Sequence, residues 1–452
     1  MAVSSYPDTM TLAKSLQQPD LNKFIKVMDK EVRYHIDCKH WKVIPLQSIP
    51  SGKHSIPTVW LMKNKHDLLG KFVKWKARLW AGGHRSIESV DYWSTYSPVV
   101  SWSTVWLIIV FAILIDWNME SIYSVLAFPQ APINTDIYMK TLKVPYVFPI
   151  PDLPAFSDGF LKNYKLLMNL YGLKNAGKTW FELLKEGLLE RHWKQSEIDS
   201  CLFTKNGILL VVYVDDAILI SLHKDLMDTD IKYLQKDYVL TDERELKDYL
   251  GTRFTKHSDR SIELSQPRMI ERVLEIFGLN DVSDRTNMHA TPDVSTALLD
   301  YDPDGAPYLQ SWNYRSSVGT LSYLQAMVRP DINFSVQQCV RFCNNTRQKH
   351  EETVKRICSY LLRTKNKGLI LKPEKIVVWN AFSSPIGQAL SMIIHTTIPY
   401  PPNIDPGMLL CMRVVQSFGI IRYNLLFRWA HPRLNILHFI NHFVKWLPFW
   451  TY

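Results

Sequence analysis

The stretch Val211-Val212-Tyr213-Val214-Asp215-Asp216-Ala217-Ile218-Leu219-Ile220 sets two adjacent acids between two apolar, β-branched runs. Such flanks predict a hairpin of two buried strands, at 208–213 and 217–221, with the acids at a tight turn. Two carboxylates held together in an apolar setting repel and raise each other's pKa unless a cation binds them. Magnesium suits them, because it takes hard oxygen ligands and keeps sites for water and phosphate oxygens. A two-metal phosphoryl-transfer site needs at least one further acid from a neighbouring strand. Taken alone, the Asp-Asp pair is better read as a hairpin turn exposed to water.

Outward from the hairpin the order is mixed α and β. An amphipathic helix is expected at Leu21, Phe24, Ile25, Met28 and Val32, with Asp20 as N-cap. Strands follow at 58–62 and 71–79, joined by the polar turn KNKHDLLG, giving a basic hairpin that carries Lys71, Lys74, Lys76 and Arg78 among aromatic residues. An apolar helix is predicted at 103–115, a strand at 119–128 and an amphipathic helix at 176–191. Beyond lie a charged hairpin (LGTRFTKHSDRSIELSQ) and two helices over 313–365, split by Arg329-Pro330-Asp331.

The chain has 452 residues, 46% hydrophobic and 21% charged, which excludes disordered and fibrous classes and leads one to expect about three domains. Its net charge of +10 favours a polyanionic partner such as nucleic acid, although solvated surfaces give the same sum. Six irregularly spaced cysteines suggest neither a disulfide framework nor a zinc knuckle, and reduced intracellular thiols are expected. The N-terminus lacks an apolar signal core, and the longest apolar stretch, Trp102 to Ile115, is too short to span a bilayer, so a soluble protein is expected.

Five ordered motifs carry a more specific likeness. They are Lys76-Ala77-Arg78-Leu79; Asp91-Tyr92 with Tyr96-Ser97-Pro98-Val99-Val100; Tyr171-Gly172-Leu173-Lys174-Asn175-Ala176 with Trp180; Tyr213-Val214-Asp215-Asp216; and Tyr314-Arg315-Ser316 with Val318-Gly319 and Arg329-Pro330-Asp331-Ile332. Together, over roughly 15–375, they resemble the reverse transcriptase of Ty1/copia-type retrotransposons. The resemblance implies an α+β right-hand polymerase: fingers over 15–110, palm over 111–235, thumb over 236–310 and a connection toward RNase H over 311–376. It implies an RNA-directed DNA polymerase working on an RNA or DNA template-primer with dNTPs and Mg2+, its metal ligands at Asp215 and Asp216. Arg78 would contact the incoming triphosphate, with Lys74 and Lys76 on template backbone. Gly172 and Asn175 would flank the nascent base pair, and Phe128 would stack beneath the incoming sugar. A solvated strand face for the lysines and an ordinary core position for Phe128 are the plain alternatives.

The chain departs from the family where chemistry is expected. The family carries its first catalytic aspartate five residues before the aromatic; in the register Ile122-Tyr123-Ser124-Val125-Leu126-Ala127-Phe128 that position is Tyr123. Trp117 anchors this alignment on one side, and Gln130-Ala131-Pro132 with Ile137-Tyr138-Met139 on the other. Glu120 and Asp116 sit at odd offsets from Tyr123, on the opposite strand face. A phenol is a poor magnesium ligand at neutral pH, so an impaired polymerase is expected. The family's Gln-Ala-Pro stands here as Asn175-Ala176-Gly177, and its Arg-Leu-Val-Ala-Arg-Gly-Phe as Arg78-Leu79-Trp80-Ala81-Gly82-Gly83-His84.

After residue 376 the composition changes: 377–452 contain one acid, Asp405, and no Glu. Codons for 378–382 and 385–390, read one base earlier, can spell Gly-Leu-Glu-Cys-Phe and Ala-Asp-Trp-Ala-Gly, the opening of an RNase H strand in this family. A frameshifted tail without a defined domain is therefore expected. On that basis the i, i+4 pair His438 and His442 is an accident of frame rather than a metal motif. Three readings stand: an active reverse transcriptase, a decayed fragment retaining the fold, and a domesticated nucleic-acid-binding module.

Overall fold

A computed structural model describes residues 9–66, 72–114, 116–140, 162–277, 299–308 and 312–371, with four short strands in the tail (Met392–Ile394, Leu409–Leu410, Met412–Val414, Phe427–Arg428). Helix α1 (Leu21–Asp37) buries Phe24, Ile25, Met28 and Val32 at three- and four-residue spacing. Asp20 precedes it without capping it; its carboxylate accepts from Trp75 Nε1 instead. Strands β1 (Thr58–His66) and β2 (Phe72–Ala81) form an antiparallel hairpin longer than the alternation indicates. Its Ala77, Leu79 and Ala81 face a core with α1, while Lys74, Lys76 and Arg78 take the opposite face.

The middle of the chain supplies the sheet that holds the acids. Helix α2 (Trp102–Leu114) leads into β3 (Asn118–Ser124), and α3 (Ala176–Glu190) into β4 (Leu202–Lys205), β5 (Ile208–Tyr213) and β6 (Asp216–Ser221). Helix α4 (Lys224–Leu234) then returns the chain to β7 (Leu240–Glu245). The six-stranded order is β7-β3-β6-β5-β4 with Lys194–Gln195 at the edge. β3 ends earlier than the apolar run predicts. Leu126 adopts a left-handed φ of 51°, and Ala127–Gln130 form one helical turn, so Phe128 lies in a turn rather than on a strand.

Both faces of this sheet are covered, which is why β5 and β6 read as continuous apolar runs. Val211, Ile218 and Ile220 share one core with α2 and the C-terminal helices; Leu210, Val212 and Leu219 share another with α3 and α4. Past a hairpin of Thr252–Lys256 and Ile262–Ser265 come α5 (Pro267–Ile276), α6 (Tyr314–Met327), α7 (Asn333–Val340) and α8 (Gln348–Arg363). Three helices thus occupy 314–363 where two are expected, because Pro330 stops α6 and a break at 341–347 separates the rest. Arg329 is buried and paired with Asp331 at 2.8 Å. The strand Leu369–Leu371 closes a second sheet against Ile262–Ser265.

Among the described residues the cysteines are free, and no helix is long and apolar enough to cross a membrane. The tail strands pair two by two, Met392–Ile394 with Met412–Val414 and Leu409–Leu410 with Phe427–Arg428. The remaining tail, including His438 and His442, lies outside the described residues.

Candidate active site

Asp215 occupies the turn between β5 and β6, and Asp216 opens β6. The turn is strained, since Val214, a β-branched residue, takes a left-handed φ of 54°. Neighbouring elements hold it there: Trp180 Nε1 donates to the Val214 carbonyl at 2.7 Å, and the Ser124 amide to the Asp215 carbonyl at 2.7 Å. A buried tryptophan on α3 and the end of β3 together fix where both carboxylates project.

Tyr123 pairs directly with Asp216 across β3 and β6, so both side chains leave the same face, and its hydroxyl donates to the Asp215 carboxylate. Burial, and then the Asp215 charge, push the Tyr123 phenol up to about 12, so it stays protonated. Burial raises Asp216 to about 6, helped by the Asp215 charge and by Glu243 on the β7 bulge. Asp215 is also raised by burial, against the hydrogen bond from Tyr123 and the charges of Lys76 and Arg78. Neither earlier acid joins the cluster. Glu120 is buried on the other face beside Lys224 of α4 (3.3 Å), and exposed Asp116 pairs with Arg260 (3.3 Å).

Asp216 and Tyr123 lie on the floor of a cleft of about 1000 Å³ between α1, the basic hairpin and the sheet, with Glu243 beside them. Lys65 pairs with Lys74, and Lys63 with Lys76, so the hairpin stacks like charges directly opposite each other, a destabilising arrangement. Burial, then Arg78 and the other lysines, lower Lys76 to about 8. Arg78 is engaged within the protein, meeting buried Glu31 at 2.8 Å and lying over the Tyr171 ring at 5.7 Å. Although burial raises the Glu31 carboxyl, the His35 hydrogen bond and Arg78 outweigh it and hold it low. Behind Glu31, buried His35 meets His40 with 2.7 Å between their Nδ1 atoms.

The remaining expected residues divide. Phe128 packs against Tyr171 (5.0 Å between centroids), beside the cleft floor. Gly172 has φ +92°, and a Cβ there would fall 2.2 Å from the Ala81 carbonyl oxygen, so its close approach is to β2. Asn175 is buried and donates to Asn134 at 3.3 Å. A side chain at Gly82 would meet Pro57, which accepts from the Gly82 amide. Glu31, the His35–His40 pair, Lys63 and Lys65 are additions. Glu31 finds its partner Arg78 47 residues on, although a Glu on the apolar face of α1 was a visible signal.

Two carboxylates and a protonated phenol offer hard oxygen donors of the kind a divalent cation takes. Among the described residues no group of three or more His, Cys, Asp or Glu could hold a metal.

The site is thus a carboxylate-tipped hairpin in a mixed sheet, beside a cleft lined by both lysines and carboxylates. Residues 39–292, more than half of the chain, match the reverse transcriptase (RNA-dependent DNA polymerase) family, and the chain belongs to it. Retrovirus-related Pol polyproteins are its relatives. That from transposon RE1 of Arabidopsis thaliana is 28% identical over 393 residues, covering 85% of this chain and 25% of that protein. That from transposon TNT 1-94 of Nicotiana tabacum is 28% identical over 371 residues, covering 80% and 27%. This chain therefore spans about a quarter of the length of those relatives. A solved foamy viral protease-reverse transcriptase in complex with double-stranded DNA covers 75% of this chain and 48% of its own, at TM-score 0.37 and 11% identity.

Proposed function

We propose that this chain is the reverse transcriptase domain of a copia-type retrotransposon polyprotein that binds template-primer but is impaired in synthesis. The observation that carries the proposal is Tyr123, a protonated phenol bonded to Asp215 in the register where the family has its first aspartate. In this reading 15–110 act as fingers, 111–235 as palm, 236–310 as thumb and 311–376 as connection, while 377–452 are frameshifted. Lys74 and Lys76 bind template backbone; Arg78, Phe128, Gly172 and Asn175 shape the nucleotide position. Asp215 and Asp216 would hold Mg2+, whose chemistry is to neutralise charge at the reacting phosphate.

The chain's own residues account for what remains. Lys65, Lys74 and Lys76 attract phosphodiesters, and bound phosphates relieve their mutual repulsion. Binding should weaken steeply with salt as counterions are released, and again as pH rises through about 8, where Lys76 loses its charge.

The test is primer extension on an RNA template by the full chain, beside Asp215→Asn, Glu243→Gln and Tyr123→Asp variants, with binding measured in parallel. We expect salt-sensitive binding by all four and extension by Tyr123→Asp alone. Robust synthesis by the unmodified chain, abolished by Asp215→Asn, would overturn the impairment; loss in Glu243→Gln as well would identify the substitute carboxylate.

A further inference from the structure

Away from the cleft, the starts of α6 and α8 border a second, open cavity of about 650 Å³ that the reading above leaves unused. One wall is aromatic. Trp312 stacks on buried Tyr314 (5.7 Å between centroids, 23° between planes) and meets Tyr308 edge-on at 5.7 Å. The other wall is rich in donors: Arg315 in the first turn of α6, Arg347 at the start of α8, and Asn344 and Asn345 in the loop between α7 and α8.

Three features point to an anion. Among the described residues no carboxylate lines the cavity, and the nearby Glu351 is buried and paired with Lys355 at 2.8 Å. Two donors in the wall, Trp312 Nε1 and Arg347 Nε, are shielded from water without an acceptor, and a buried unpartnered donor calls for one. The first turn of α6 also presents the positive end of a 14-residue helix, where Tyr308 accepts from the Tyr314 amide and Asn313 from the Ser316 and Ser317 amides. Arginines suit phosphate oxygens by charge-assisted, often paired hydrogen bonds, and the aromatic wall suits a base. The volume is that of a small-molecule site.

We propose that this cavity is a binding site for a nucleotide 5′-phosphate, either of a free mononucleotide or of a strand end, with Arg315 and Arg347 on the phosphate and the Trp312–Tyr308 wall beside the base. The site stands apart from the acids and is independent of how the cleft is read. Cys343 lines it, half-buried, and provides a local reporter; Cys38 is exposed elsewhere.

The experiment alkylates the full chain slowly, with peptide-resolved readout of Cys343 against Cys38, in the presence of adenosine, inorganic phosphate, adenosine 5′-monophosphate, or a short oligonucleotide with or without a 5′-phosphate. We expect the monophosphate, and not adenosine, to protect Cys343 while Cys38 reacts unchanged. Arg315→Ala removes an exposed side chain and should raise the protecting concentration about tenfold or more, without shifting the melting temperature; Lys76→Ala should leave it unchanged. Tighter protection by the 5′-phosphorylated oligonucleotide identifies a strand end as the ligand, and protection no better than the mononucleotide identifies the free form. Equal protection by adenosine, no protection by any probe, indifference to Arg315→Ala, or loss in Lys76→Ala would each overturn the proposal.

Discussion

Replacing Tyr123 by aspartate separates a missing ligand from a merely unusual one, because the two predict opposite responses to magnesium. The phenol donates to a carboxylate, and hydrogen bonds to charged groups contribute about 1.5–3 kcal/mol. Tyr123→Asp removes that bond and adds a third negative charge beside Asp216, whose own pKa is already pushed up to about 6. The metal-free variant should therefore be less stable by about 3 kcal/mol. Three carboxylates would bind Mg2+ where two hold it weakly, and a ligand at about 100 times its Kd restores about 2.7 kcal/mol. At about 2 °C per kcal/mol for a domain this large, millimolar MgCl2 should raise the variant's melting temperature by about 5 °C and leave the parent nearly unmoved. Calorimetry with MgCl2 against an equal ionic strength of NaCl reads this directly. An equal magnesium shift in both proteins would refute the reasoning, since the parent would then already possess a complete site.

Other outcomes follow from the cleft and its supports. Glu31→Gln leaves Arg78 without its buried partner and should cost about 2–3 kcal/mol by denaturant titration while strengthening nucleic-acid binding; weaker binding would mean that Arg78 is held ready by Glu31 rather than withheld. His40, pushed down to about 4 by burial and by His35, is neutral in the fold but charges near 6.5 when unfolded, so stability should fall as pH drops from about 6.5 to about 4, by up to about 3 kcal/mol. His40→Gln should flatten that slope, and an unchanged slope would assign it to other groups. Gly172→Ala forces a Cβ against the Ala81 carbonyl at a left-handed φ and should destabilise by about 2–4 kcal/mol; a smaller change would show that the strand end gives way there.

The elements whose signals are local were legible in the sequence. The hairpin at 208–221 declared itself by apolar runs of strand length around a polar turn, and α1 and α3 by their periodicity. The offset argument for Glu120 needed only strand alternation, whereas Asp116 precedes the strand, in a left-handed turn, and alternation does not apply to it. What escaped was set by partners distant in the chain. Asp20 has a capping residue's identity but accepts from Trp75, because the hairpin brings that indole within reach. Phe128 belongs to an apolar run that ends early, because Leu126 turns left-handed and Gln130 ties the turn to Val239. The strain at Val214 is invisible in a sequence, since it exists only where Trp180 and Ser124 hold the turn. Arg78 reads as a free cation, and only the packing of α1 on the hairpin supplies Glu31.

The core beneath the acids reaches well past the part of the chain that matches the family. Ile218 and Ile220 on β6 share it with Val318, Leu321, Val354 and Ile357, and it includes Leu371 on the last strand of the second sheet. The family match ends at residue 292. A fragment trimmed to that boundary would expose the underside of the Asp215 hairpin to water and should be purified, if at all, as an aggregate. Every described member of that core lies at or before Leu371. For expression, truncation mapping or crystallisation, the durable unit is the one that closes at this strand. Along the coding sequence, mutational tolerance should change at that same point, with nonsense and frame-shifting changes damaging the fold before it and sparing it afterwards.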